Sequence, residues 1–184
     1  LDREPEVVLA YSLYDYIDGD GRIIFSHSYT VNTQNMGIVL RVHNLFLTSL
    51  KSQPFSGLMR SDILRKINFI KNFKNVLNDD VIFLFQLSLA GEFVQIPQKL
   101  FYFRMNRPNE KRITTTKRRI IDIYDKNNQS HPLFFYFFHQ IYIYFLNIYK
   151  FPINWYYKPI IFLLIIFDVS LLYLKIMIRI LMKQ

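Results

Sequence analysis

Two long apolar segments near the end of the chain constrain the fold more than any other feature. The first runs from Pro132 to Tyr149 and the second from Pro159 to Met182. Pro152 and Pro159 separate them, because proline interrupts the hydrogen bonding of a helix. The sequence therefore predicts two helices, each of which must bury a wide apolar face against protein or lipid.

Each apolar segment carries a narrow polar stripe when it is drawn as a helix. In the first helix one sector holds His139, Gln140, Asn147 and Lys150. In the second helix, one sector holds Asp168, Lys175 and Arg179, with Lys183 close by. Helices of this kind favour a position flat in the membrane interface, with tyrosines and Trp155 at headgroup depth.

Two other arrangements of the apolar segments remain open. The helices could pack as core on the rest of the domain or on a second copy of the chain, or one of them could span the membrane. A span needs about 20 mostly apolar residues. Ile160–Leu174 is shorter than that and contains Asp168, so a span is the least favoured arrangement.

The chain is basic, with a formal net charge of +9 at pH 7. This excess favours anionic partners. The basic clusters lie beside or within the apolar end, which favours an acidic lipid surface over nucleic acid; they comprise Lys111, Arg112, Lys117, Arg118 and Arg119, then Lys175, Arg179 and Lys183. There is no cysteine, which excludes disulfides, cysteine nucleophiles and cysteine-based zinc sites and agrees with a cytoplasmic setting.

Strand and helix patterns alternate before the apolar end, which indicates an α/β layer. Four strands are predicted, at Val7–Tyr14, Arg22–Phe25, Phe93–Ile96 and Leu100–Arg104, the last two hinged at Pro97. Three helices are predicted, over Met36–Leu50, behind an N-cap at Ser61, and from an N-cap at Asn78 to Gly91. Thr114–Ser130 is polar and basic and is interpreted as a linker. The chain opens at Leu1 without a leader, and we interpret it as starting within a longer protein; a trimmed domain is the alternative.

Two acidic motifs are candidate sites. Asp18-Gly19-Asp20 has the form of a metal-binding D-x-D, but no third acid follows at calcium-loop spacing, so a solvated turn is favoured. Asp79 and Asp80 open a predicted helix, where amide dipoles stabilise carboxylates by roughly 0.3–1 kcal/mol each. One of them could instead act as a general base that takes a proton from an attacking hydroxyl. From the residues alone both roles stay open.

Other residue types give weaker signals. Gly57 lies beside a short apolar run, where a glycine lets a ligand approach the backbone or forms a bulge. The four histidines are scattered without metal-ligand spacing. No Ser/His/Asp arrangement and no phosphate-binding glycine loop is present.

Three segments taken in order resemble the inverting family 2 glycosyltransferases of the GT-A fold. Leu1–Ile24 (LDREPEVVLAYSLYDYIDGDGRII) resembles the segment after that family's D-x-D, so that residues 18–21 correspond to a strand turn. Phe55–Ile63 (FSGLMRSDI) resembles the acceptor-side segment. Asp80–Arg104 (DVIFLFQLSLAGEFVQIPQKLFYFR) is the most specific match. The resemblance covers roughly residues 1–106 and does not include the apolar end.

The resemblance implies roles for five residues. Asp80 occupies the position of the catalytic base, and Asp79 is the second choice. Gly57 and Arg60 would border the acceptor site, and Arg104 would contribute to substrate binding. No metal ligand is expected in this chain. A divalent metal, Mg²⁺ or Mn²⁺, is expected for the full-length enzyme, with its ligands mostly outside these residues.

The sequence also departs from the family pattern. Met105-Asn106 follows Arg104 where the family often has a histidine two residues on, and Gln86 replaces a common glutamate. The nucleotide-binding half with its D-x-D is absent from the chain. The expected fold is therefore α/β, an incomplete GT-A-like domain over residues 1–110, a basic linker over 111–131 and an apolar two-helix tail over 132–184.

Two functions follow as expectations. The first is part of a glycosyltransferase that moves a sugar from a nucleotide-sugar donor to a saccharide or lipid-linked acceptor, cytoplasmic and peripheral on the inner face of the cell membrane. The 184 residues alone are not expected to turn over. The second is a catalytically inactive binding module anchored at the membrane. Nucleic acid is not an expected partner.

Overall fold

The computed structural model describes residues 1–26, 31–47, 53–67, 79–104 and 133–181, and its central element is strand β1 (Val7–Ile17). Valine, leucine and tyrosine fill this strand, and β-branched and aromatic residues favour extended backbone. Val7, Val8 and Leu9 are all buried, so the start of β1 is covered on both faces.

Three strands pair with β1. Strands β2 (Ile23–Ser26) and β3 (Leu58–Met59) run antiparallel to its end and its beginning, respectively. Strand β4 (Glu92–Arg104) runs parallel to it along nearly its whole length. The described residues thus form a mixed four-stranded sheet with helices, and the predicted α/β class is confirmed. Likeness to the GT-A fold stays a prediction.

The two strands predicted on either side of Pro97 are one continuous strand, so the predicted hinge was wrong. The register with β1 passes from Ser12 opposite Ile96 to Leu13 opposite Lys99. The two intervening residues of β4 form a bulge. Proline fits there because a bulge relieves it of the ladder hydrogen bond that it cannot donate.

Three helices precede the apolar end in the described residues: α1 (Ile38–Leu47), α2 (Ser61–Ile67) and α3 (Asp79–Ala90), with a 3₁₀ turn at Gln53–Ser56. Helix α2 begins one residue earlier than predicted. The carbonyl of Arg60 accepts a hydrogen bond from the Leu64 amide at 3.0 Å, so Arg60 and not Ser61 is the N-cap. Asn78, the other predicted cap, lies outside the described residues.

Helix α3 is buried on all sides, since every residue from Val81 to Leu89 is buried. A helix that is apolar nearly all round lies inside the core. It ends before Gly91, as predicted, and the Gly91 amide donates to the Leu87 carbonyl at 3.0 Å. The reason for the glycine is close packing. A Cβ there would lie 2.3 Å from Cγ1 of Val8, while φ is outside the left-handed region.

The apolar end forms helices α4 (Leu133–Lys150) and α5 (Tyr157–Leu181). Pro152 lies in the connection, as expected. Pro159 is the third residue of α5 and not a separator. The first turn of a helix has no intrahelical acceptor for its amides, so a proline is accommodated there.

Helices α4 and α5 share one core with the sheet-bearing part of the chain. The Tyr144 ring of α4 lies 5.0 Å from the Phe85 ring of α3 and 5.4 Å from the Phe46 ring of α1. The same cluster includes Ile148, Ile161, Ile165 and Val169. One face of each helix therefore packs as core, and residue 132 does not divide two cores. The predicted linker at 111–131 lies outside the described residues.

Candidate functional site

Asp80 lies in the first turn of α3, as the sequence predicted. It is half-buried, and its Oδ1 accepts a hydrogen bond from the Val81 amide at 2.9 Å. The fully buried Tyr144 is near enough to be affected by its charge: burial raises the pKa of Tyr144 well above its usual value, and the Asp80 carboxylate raises it further. The Asp79 side chain lies outside the described part of the chain, so its role stays a prediction.

The segment that carries Gly57 lies beside the start of α3. The ring of Phe55 is 5.4 Å from the ring of Phe83, which is one helical turn from Asp80. Gly57 itself packs on β1, since a Cβ would lie 2.6 Å from the carbonyl oxygen of Ala10. The close approach at Gly57 is thus made by β1, and the predicted approach of a ligand stays a prediction.

Arg60 is bound to the beginning of the chain. Its Nε donates to the Val7 carbonyl at 2.7 Å. Its Nη2 donates to the carbonyls of Leu1 and Glu4, at 2.5 and 2.8 Å. The guanidinium therefore holds residues 1–7 in place, and its predicted contact with an acceptor stays a prediction.

Arg104 also binds a backbone carbonyl, at the other end of the sheet. Its Nη1 donates to the Gly19 carbonyl, which ties the end of β4 to the turn between β1 and β2. In that turn Oδ1 of Asp18 accepts from the amides of Asp20 and Arg22, at 2.9 and 2.8 Å. Gly21 adopts φ +85°, which favours glycine. The interpretation of residues 18–21 as a turn is confirmed.

Metal binding finds no support in the described residues, where no group of three or more histidine, cysteine, aspartate or glutamate side chains is close enough to hold an ion. The expected Mg²⁺ or Mn²⁺ concerns ligands outside this chain and stays a prediction. The residues that the structure describes therefore offer no ligand set that fits a metal ion.

A first concavity, missed by the sequence reasoning, lies on the sheet. Tyr14 and Tyr16 of β1 contact the rings of Phe101 and Phe103 of β4, at 6.3 and 5.5 Å, and the two tyrosine hydroxyls lie 2.9 Å apart. The space between them is about 180 Å³ and is also lined by Tyr11, Ser12 and Ser56. Strand alternation was the available signal, since residues i and i+2 share a face.

A second and larger concavity, the helix pocket, lies between α2, α3, α4 and the α4–α5 connection. Its volume is about 790 Å³. Its walls are Ile63, Lys66, Ile67, Gln86, Leu89, Ala90, Asn147, Lys150, Phe151, Pro152 and Ile153. None of the predicted site residues lines it. It is assembled from three separate stretches of chain, 63–67, 86–90 and 147–153, so no local sequence pattern could have indicated it.

Three residues of the polar stripes of α4 and α5, Gln140, Asn147 and Asp168, turn toward the protein. Each has a partner across a helix interface. His43 Nδ1 lies 3.1 Å from Asp168 Oδ2, the Tyr173 hydroxyl donates to Gln140 at 3.3 Å, and the Gln86 amide donates to Asn147. Gln140 and Asp168 are almost fully buried, and buried polar groups need such partners.

The opposite faces of the two helices are apolar and exposed. The exposed residues recur every three or four positions, at Phe138, Tyr142, Phe145 and Tyr149 on α4 and at Ile160, Leu163, Phe167, Leu171 and Leu174 on α5. We call these nine residues the outer apolar face. Trp155, 80% exposed, lies in the connection at one end of it, near Lys150 and Lys158.

Helix α5 begins two residues before the predicted segment Pro159–Met182. Its stretch Tyr157–Lys175 is long and apolar enough, by length and composition, to cross a membrane, and only 22% of it is buried. Core helices of soluble proteins can pass the same criterion, so it leaves spanning and flat arrangements open.

Comparison of the chain with protein-family models, with curated proteins and with solved structures found no match.

Proposed function

We propose that the chain is the acceptor-side part of an inverting glycosyltransferase, which moves a sugar from a nucleotide-sugar donor to a hydroxyl of a saccharide or lipid-linked acceptor. Asp80 is the general base, with Asp79 the second choice. The segment at Gly57 and Arg60 borders the acceptor, and Arg104 contributes from the end of β4. This remains an assignment by resemblance, to which the geometry adds support.

The position of Asp80 is the observation that carries the proposal. A catalytic base must be held steady against its substrate. Asp80 is half-buried at the tip of a helix whose residues from Val81 to Leu89 are all buried. Through the contact of Phe83 with Phe55, this tip also adjoins the Gly57 segment, the other part of the expected acceptor site.

The chemistry assigned to Asp80 is a single displacement. Its carboxylate takes the proton of the acceptor hydroxyl while that oxygen attacks the anomeric carbon of the donor. The bond from this carbon to the nucleoside diphosphate breaks, the leaving group keeps the bonding electrons, and the configuration inverts. The nucleotide-binding half lies outside these residues. This chain supplies only the base and the surface that orients the acceptor.

In this proposal Arg60 and Arg104 position the site. Arg60 holds residues 1–7, which lead into β1, and Arg104 holds the turn that closes β1 and β2. Their guanidiniums bind backbone carbonyls, so each fixes the shape of the sheet edge next to the acceptor.

The test compares two acids in the protein as encoded by its gene. Asp80→Asn is expected to lower sugar transfer by about 10²–10⁴-fold, the usual contribution of a general base. Asp62→Asn is the matched control, since Asp62 is also an acid in the first turn of a helix, α2. Both changes remove roughly 0.3–1 kcal/mol of helix-dipole stabilisation. Equal activity of the two variants would return Asp80 to a purely structural role.

We further propose that the protein is cytoplasmic and binds the inner face of the cell membrane through the outer apolar face. An exposed apolar surface of this extent marks an interaction site. The net charge of +9 suits an acidic lipid surface. Co-flotation with acidic liposomes and failure to bind RNA are expected.

A second candidate is a membrane-anchored binding module without catalysis. The observation in its favour is that Arg60 and Arg104 are both occupied by backbone carbonyls. If the gene encodes no D-x-D before Leu1 and Asp80→Asn changes no transfer activity, this candidate replaces the first.

A further inference from the structure

We propose that the helix pocket binds the phosphate headgroup of a hydroxyl-bearing anionic amphiphile, such as a phosphoglycerol lipid. This goes beyond sugar transfer, although the membrane-bound placement of the ligand rests on the proposed function. The lining of the pocket defines the three chemical requirements of the ligand: an anionic group, a hydroxyl donor and an apolar part.

Gln86 accounts for the requirement for a hydroxyl donor. It is only 5% exposed, and its amide nitrogen donates to Oδ1 of Asn147. Its carbonyl oxygen, Oε1, has no hydrogen-bond partner in the described part of the chain. A buried acceptor left unpaired costs about 1–3 kcal/mol, so a small rotation of this side chain that brings Oε1 to a ligand hydroxyl in the pocket is favoured.

Two lysines supply the demand for an anion. Lys66 of α2 and Lys150 of α4 both line the pocket and are both exposed. Among the described residues, no carboxylate lies within 4.0 Å of either ammonium group. A phosphate between them would be held by charge-assisted hydrogen bonds.

The remaining walls select an amphiphile over a free phosphate ion. Ile63, Ile67, Leu89, Phe151 and Ile153 form an apolar side of the pocket. The volume of about 790 Å³ lies within the 300–1,000 Å³ typical of small-ligand sites and is far larger than a phosphate needs. The start of an acyl chain fits this apolar side.

The location of the pocket also suits a lipid. Phe151–Ile153 belong to the same connection as Trp155, and Lys150 and Lys158 flank it, so the pocket opens at the aromatic and basic end of the outer apolar face. Tryptophan and lysine collect at headgroup depth. Gln86 is six residues from Asp80 along α3, about 9 Å at 1.5 Å per residue, and Ala90 is farther still, so the pocket is separate from the proposed base.

The first experiment titrates the full 184-residue chain with dihexanoyl phosphatidylglycerol below its micelle concentration. Trp155 is the only tryptophan and is two residues along the chain from Ile153 of the pocket wall, so we expect its emission to report binding. Dihexanoyl phosphatidylcholine, which has no net charge, and inorganic phosphate, which has no apolar part, are each expected to bind at least roughly tenfold more weakly. If inorganic phosphate binds as tightly as the lipid, the amphiphile assignment is overturned.

The second experiment localises the site. Lys66→Gln with Lys150→Gln is expected to raise the Kd for phosphatidylglycerol by roughly tenfold, the sum of two partly exposed ion pairs. Arg22→Gln with Lys175→Gln removes the same two charges elsewhere and is expected to leave Kd nearly unchanged. Equal losses in both variants would mean that only bulk charge attracts the lipid, and the pocket would be dismissed.

Gln86→Leu tests the hydroxyl contact. It is expected to weaken phosphatidylglycerol and leave dihexanoyl phosphatidic acid, which lacks the glycerol hydroxyls, unaffected. Equal weakening of both lipids would contradict the role of Oε1. Thermal unfolding checks that Gln86→Leu folds. If it does not fold, the variant that combines Lys66→Gln with Lys150→Gln still tests the pocket. These readouts contain no sugar transfer, so the pocket and the glycosyltransferase proposal can fail independently.

Discussion

Replacing Gly91 by alanine tests how closely α3 is seated against β1, and hence what fixes Asp80 at the other end of the helix. The new Cβ would lie 2.3 Å from Cγ1 of Val8 and 2.5 Å from the carbonyl oxygen of Glu6. That carbonyl accepts the Glu92 amide at 2.8 Å, so it cannot move without loosening β1 from β4. Overpacking of this kind costs typically 1–3 kcal/mol. We expect a loss near the upper end, about 2–3 kcal/mol, because one of the two contacts is backbone.

Thermal and urea unfolding of the full chain measure this loss. For a chain of this size, about 2–3 kcal/mol corresponds to a fall in Tm of roughly 5–10 °C. Gly37→Ala is the matched control, since a Cβ there meets nothing within 4 Å. Alanine is a poorer N-cap residue than glycine, which lowers stability, but it also restricts the unfolded chain, which raises stability. These two effects on the free energy of unfolding should nearly cancel. Adding Val8→Ala to Gly91→Ala should recover roughly 1 kcal/mol of coupling. If Gly91→Ala is no more destabilising than Gly37→Ala, the close packing of this junction is wrong.

Two further predictions concern buried polar groups. Asp168→Ala should cost roughly 1–3 kcal/mol of unfolding free energy, because it leaves a half-buried His43 without its partner. A double-mutant cycle with His43→Ala should show a coupling energy between the two side chains. Additive losses would exclude the contact. The hydroxyl of Tyr11 accepts from the Val31 amide at 2.6 Å, and burial raises the pKa of Tyr11 to about 12. Between its ordinary pKa near 10 and about 12, the unfolded state binds fewer protons than the folded state, so stability should fall as pH rises through that window. Tyr11→Phe should reduce this slope in urea titrations at several pH values, and an unchanged slope would contradict the burial of the hydroxyl.

Local patterns predicted the elements that local chemistry determines. Strand β1 and the turn at residues 18–21 follow from β-branched residues and from Asp-Gly pairs, which act within a few positions. The α3 start near Asp80 and its end before Gly91 were also readable. The bulge at Pro97 was not, because the register of β4 is set by pairing with a strand some 80 residues away in the chain.

Contacts between side chains that are far apart in the sequence could not be predicted. The polar stripe on α5 was visible, but its direction depends on His43, which lies 125 residues from Asp168. For the same reason the helix pocket was hidden, since Gln86 and Asn147 meet only after α3 and α4 pack. Sequence reasoning found the acid at the helix tip because a single element presents it. It missed the cavity because three separate stretches of chain build it.

The inward polar contacts of α4 and α5 have a consequence for the proposed association with a membrane. Each helix has one azimuth at which Gln140, Asn147 or Asp168 reaches its partner, and any rotation about its axis would strand an amide or a carboxylate among hydrocarbon. In the proposed membrane association, these protein contacts therefore fix which side of each helix faces the lipid. Truncation after Arg104 would remove the outer apolar face and also strip Phe85 and Phe46 of their contact with the Tyr144 ring, so we expect aggregates from such a shortened chain and not a soluble domain.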